Sequence, residues 1–115
     1  YLQVMFSGRI KEKYSDHYEE KDGYGGVYVE IQDEKKKAKI FISEEKNQLY
    51  CQAEYVDDHE KPIENTRLGE LLYKNNLLNE KNDRCVWKYF GLNDYNGVYD
   101  CFKETVNKIL NPVKS

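Results

Sequence analysis

The chain has 115 residues and 13.7 kDa, with 39% hydrophobic, 34% charged and 14% aromatic residues and a mean hydropathy of −0.94. Eleven Tyr, four Phe and one Trp exclude a disordered chain, which lacks aromatic residues, and two Pro with seven Gly exclude a collagen-like or proline-rich linker protein. A net charge of −3 and a pI near 5.5 argue against a protein whose main task is gripping nucleic-acid phosphates, and the length suits one domain, 1–115.

Along the chain, Leu2, Val4, Phe6 and Ile10 alternate with Gln3, Ser7 and Arg9, a period of two that predicts a half-buried strand. Residues 11–25 are polar and turn-rich, and Gly23, Gly25 and Gly26 around Tyr24 suit a loop. Val27, Val29 and Ile31 alternate with Tyr28, Glu30 and Gln32 as a second strand, and Asp33 to Lys36 reads as a charged hairpin tip. Ala38, Ile40 and Ile42 mark a third strand. After a polar turn at Glu44 to Asn47, Leu49, Cys51, Ala53 and Tyr55 mark a fourth.

The pattern then changes. Pro62 is a boundary, and Leu68, Leu71, Leu72 and Tyr73 fall at helical spacing, which predicts a helix from Asn65 to about Asn76. Gly69 within it costs about 1 kcal/mol against Ala and marks a place where the helix comes close to the sheet. Asn79 to Arg84 reads as a loop, and Cys85 to Phe90 as a fifth strand. Val98, Phe102, Thr105, Val106, Ile109 and Leu110 share one face of a last helix that Asn111 and Pro112 stop. The expected fold is therefore α+β: a mainly antiparallel sheet of four to five strands in the order β-β-β-β-α-β-α, with two helices packed on one face. The other face would carry Tyr28, Glu30, Phe41, Tyr50, Gln52 and Glu54.

Cys51, Cys85 and Cys101 cannot all pair within one chain, and no CxxC occurs. Three reduced, partly buried thiols in a cytoplasmic protein are the expectation. No run approaches the length of a membrane span, and no secretory signal pattern is present. The start at Tyr1 rather than Met leaves room for a natural start upstream.

Catalytic constellations are scarce. His17 and His59 both stand among acids, and adjacent loop residues do not converge on one metal ion without special backbone geometry, so no metal site is expected. The cysteines lie on predicted strands and a helix rather than in the settings that activate a thiolate. Gly23 to Gly26 precede a strand, whereas a phosphate-binding loop leads into a helix. No catalytic residue and no cofactor are expected. The order of three strands, helix and strand resembles the core of restriction-endonuclease-like nucleases in topology only. That family holds its metals with an Asp and a Glu-x-Lys. The nearest strings here, Glu30-Ile31-Gln32 and Gln52-Ala53-Glu54, lack the lysine. A degenerate or truncated nuclease domain is thus an alternative reading, and a sheet-surface binder of nucleic acid or ligand through Tyr28, Phe41 and Tyr50 is a second one.

Protein recognition is the leading expectation. Tyr14, Tyr18 and Tyr24 are interleaved with Asp16, Glu19, Glu20 and Asp22, with no core-facing periodicity. Tyrosine buries a large area at little entropic cost, and surrounding acids steer a basic partner. In size and charge the chain is similar to small acidic inhibitors and toxin-immunity proteins. The expectation is a non-enzymatic protein-binding domain with a basic protein partner, nucleic acid being an unlikely one and a membrane none.

Overall fold

A computed structural model describes residues 18–19, 27–33, 36–59, 61–64 and 66–111. Its elements are β1 (Tyr18–Glu19), β2 (Val27–Asp33), β3 (Lys36–Glu45), β4 (Gln48–Val56), α1 (Gly69–Tyr73), β5 (Glu80–Lys81), β6 (Cys85–Gly91) and α2 (Tyr95–Leu110). The expected strand over 2–10, the hairpin tip at 34–35, and Pro112 lie outside the described residues.

The strands form one sheet in the order β1-β2-β3-β4-β6-β5, every neighbouring pair antiparallel. The α+β class follows from this sheet together with α2. The alternation read from the sequence sets the two faces. Val29, Ile31, Ala38, Ile40, Ile42, Leu49, Cys51, Ala53, Tyr55 and Val86 all point to one side and join the main hydrophobic core. Helix α2 closes that core with Val98, Phe102, Val106 and Ile109, each at most 3% exposed. Leu110, expected on the same face, is 38% exposed because one further residue turns it about 100° from Ile109.

Local chemistry accounts for the turns. Lys46 and Asn47 join β3 to β4 with φ of 51° and 63°, and Glu45 pairs with Gln48 across them. Two consecutive left-handed residues are the requirement of a type I′ hairpin, whose twist matches that of the strands. Asp94 caps α2: its Oδ1 accepts the Gly97 amide at 3.0 Å.

The helix expected over 65–76 is shorter. Among the described residues Arg67 and Leu68 are helical and lead into the π-helical turn Gly69–Tyr73, in which the Lys74 amide reaches the Gly69 carbonyl at 3.2 Å. Asn75 Nδ2 donates to the Leu71 carbonyl at 2.8 Å, and Asn76 takes a left-handed φ of 60°, so the run ends there. Leu68, Leu72 and Leu78 still bury fully. The segment read as a loop, 79–84, contains the two-residue strand β5, with Glu80 opposite Trp87 and Lys81 opposite Val86. No helix among the described residues is long and apolar enough to cross a membrane.

Candidate functional site

The face of the sheet turned away from α2 is organised in cross-strand rows. One row runs Tyr28, Phe41, Gln52, Trp87, and the next Glu30, Lys39, Glu54, Cys85. The six residues expected on this face are all there, but not equally accessible. Tyr28 is 1% and Phe41 5% exposed, so the ligand-stacking platform expected of Tyr28, Phe41 and Tyr50 reduces to the half-buried Tyr50. The two buried rings serve a lysine instead: Lys39 Nζ stands 4.7 Å from the Tyr28 centroid and 5.7 Å from that of Phe41.

The charged row is buried as well, with Glu30 8%, Lys39 6% and Glu54 6% exposed. Lys37 Nζ meets Glu30 Oε2 at 3.3 Å, so two lysines balance two glutamates. Glu54 Oε1 accepts Gln52 Nε2 at 2.8 Å and the Cys85 thiol at 3.8 Å. Burial raises the Glu54 pKa, against the opposing pull of Gln52 and Lys39. The Cys85 thiol is pushed up to about 11, by burial first and then by the Glu54 carboxylate. A thiol so placed is protonated at neutral pH and is a poor nucleophile. Glu30 and Glu54, the acids that a nuclease reading would use, thus sit in a closed, charge-balanced row.

Towards the β3–β4 turn the same face opens. The rings of Phe41, Tyr50 and Tyr89 follow one another at centroid distances of 5.9 Å in each step. Tyr50 and Trp87 are half-buried and Tyr89 is 37% exposed. Tyr89 Oη donates to Glu45 Oε2 at 3.2 Å. The tyrosine's pKa is raised, by desolvation first and then by Glu45, with the Glu80 carboxylate also contributing. Tyr50 is raised likewise by its burial. The result is an aromatic strip of Tyr50, Trp87 and Tyr89 edged by Glu45 and Glu80.

Of the seven residues expected to bind a partner, Tyr18 and Glu19 form β1, an edge strand in register with Val29 and Tyr28. Tyr14, Asp16, Glu20, Asp22 and Tyr24 lie outside the described residues, as does His17. The strip was not anticipated. Alternation in Cys85 to Phe90 puts Trp87 and Tyr89 on one side, but only the β4–β6 register sets Tyr89 opposite Tyr50.

The other chemistry-bearing groups have structural partners. Asp57 Oδ1 accepts the amides of His59 at 2.8 Å and Lys61 at 3.0 Å, which holds its pKa below the usual carboxylate range. His59 is exposed. All three cysteines are free. Cys51 and Cys101 meet between β4 and α2, where their mutual hydrogen bond raises the Cys51 pKa and lowers that of Cys101. No group of three or more metal-ligating side chains occurs among the described residues. No protein-family model, curated protein or solved structure matches the chain.

Proposed function

We propose that this chain is a non-enzymatic protein-binding domain of inhibitor or immunity type, which engages a basic partner through acidic, tyrosine-rich surface. The observation that carries the reading is the strip of Tyr50, Trp87 and Tyr89 with Glu45 and Glu80 beside it. It has the same mix of tyrosine and acid as the segment Tyr14, Asp16, Tyr18, Glu19, Glu20, Asp22 and Tyr24. Rigid aromatic side chains with polar tips are the usual anchors of protein interfaces, and carboxylates at the rim speed the encounter with a basic surface. A reducing, cytoplasmic setting goes with this reading, since the cysteines are free.

The test is retention of cell proteins on the immobilised chain, comparing wild type with Tyr18→Ala/Tyr24→Ala and with Tyr50→Ala/Tyr89→Ala. A basic protein retained by wild type, released by salt and lost from either double variant is the expected outcome. Retention unaffected by both variants refutes the reading. So does Mg²⁺- or Mn²⁺-dependent cleavage of DNA or RNA that disappears in Glu30→Gln or Glu54→Gln.

A further inference from the structure

On the helix side of the sheet, away from the aromatic strip, a cleft of about 870 Å³ separates α1 from the β5–β6 hairpin. That volume lies within the range of small-molecule sites. Gly69 lines the α1 wall, and a Cβ there would stand 3.8 Å from the Lys81 side chain across the gap. That is ordinary van der Waals contact, and the buried Val86 also lines the cleft.

The lining has a definite chemistry. Lys36, Lys81 and Arg84 bring positive charge from β3 and the hairpin, in a molecule whose net charge is −3. Lys74 is bound to Glu70 at 2.7 Å, and Lys36 Nζ stands 5.4 Å from the Tyr55 ring centroid. Tyr73 is 41% exposed, the most exposed large hydrophobic residue described, and Lys81 Nζ stands 5.4 Å from its ring centroid. An aromatic face and cations therefore sit side by side. Glu64 and Asp83 share the cleft and offer acceptors to hydroxyl or amino groups.

A bare anion would meet those carboxylates without compensation. A fully apolar molecule would meet the lysines. The lining suits a ligand with an anionic end, hydrogen-bond donors and a planar body. We propose that this cleft binds a nucleoside monophosphate or a molecule of the same chemistry, its phosphate on Lys36, Lys81 and Arg84, its base on Tyr73, and its sugar hydroxyls donating to Glu64 and Asp83. Stacking on tyrosine and charge-assisted phosphate contacts are each sequence-tolerant, so the site discriminates the class more than the base.

The experiment is an NMR titration of the ¹⁵N-labelled full chain with AMP, GMP, CMP and UMP. Adenosine, ribose 5-phosphate and inorganic phosphate serve as separate arms. The expected result is saturable shifts at Gly69, Tyr73 and 81–84 with at least one nucleotide, and binding about tenfold weaker for each fragment. Tyr73→Ala and the double variant Lys81→Gln/Arg84→Gln should each weaken the nucleotide by about tenfold. All three positions are exposed, so the variants' melting temperatures should stay near that of wild type. No saturable shift up to about 5 mM nucleotide, a range that detects even weak sites, overturns the proposal. So does inorganic phosphate or adenosine binding as tightly as the nucleotide, or affinity that both variants leave unchanged.

Discussion

At Glu54, burial raises the carboxyl pKa above its ordinary 4.5, and the consequence for stability has a definite sign. The folded chain holds this proton more tightly than the unfolded one. Its contribution is fully present below about 4.5 and is lost as pH rises through the raised folded value. Glu54→Gln removes that dependence. The stability of the variant relative to wild type should therefore climb as pH passes upward through this window, measured by chemical denaturation at a series of pH values. A flat difference would mean that Glu54 titrates alike in both states. Thr105 makes a second case at this scale. Its hydroxyl is buried beside Cys51 and Cys101 without a hydrogen bond of ordinary geometry. Thr105→Val keeps the shape and removes a buried hydroxyl whose nearest partners are two weakly accepting thiols, so it should change stability by less than about 1 kcal/mol.

At the scale of the element, α2 and the β3–β4 turn allow the sharpest tests. Asp94→Ala deletes the cap on Gly97 and should cost about 1 kcal/mol. Gly97→Ala would ordinarily strengthen a helix by about 1 kcal/mol, but here the new Cβ would lie 2.5 Å from Asp94 Oδ2 and displace the cap. The two substitutions should therefore couple. Gly97→Ala should be unfavourable or neutral alone and stabilising once Asp94 is Ala, in a double-mutant cycle of thermal unfolding. In the turn, Lys46 holds φ of 51° and Asn47 φ of 63°. Lys46→Asn with Asn47→Gly places the preferred type I′ pair there and should stabilise the chain by about 1 kcal/mol. A loss of stability would show that the Lys46 side chain matters beyond its backbone.

At the scale of the whole molecule, the sheet divides two kinds of packing. Phe102 is fully buried against the apolar face, and Phe102→Ala should cost about 3–5 kcal/mol with loss of amide protection across β3, β4 and α2. Tyr50→Ala/Tyr89→Ala acts on the other face, where one ring is half-buried and the other exposed. That pair should weaken partner retention while changing stability far less than Phe102→Ala does.

Alternation alone placed Tyr28, Glu30, Phe41, Tyr50, Gln52 and Glu54 on one face and the aliphatic residues on the other, because a strand's side-chain period is two regardless of what it pairs with. Gly69, expected to mark a close approach to the sheet, faces the Lys81 side chain at ordinary contact distance instead. How much of each face is covered is a property of neighbours, and no local pattern carries it. Tyr28 and Phe41 looked like a platform and proved to be buried rings beneath Lys39. The helix expected over 65–76 is helical over 67–73 among the described residues, it runs into a π-helical turn, and Asn75 with the left-handed Asn76 ends it close to the expected place. Two features arose only when distant segments met. The β4–β6 register set Tyr89 against Tyr50, and the approach of α1 to the β5–β6 hairpin gathered Lys36, Tyr73, Lys81 and Arg84 around one cleft. Composition and period therefore decided the class of fold and the two faces of the sheet, and the tertiary structure alone decided which charges and rings are accessible, since accessibility depends on contacts between residues far apart in the chain.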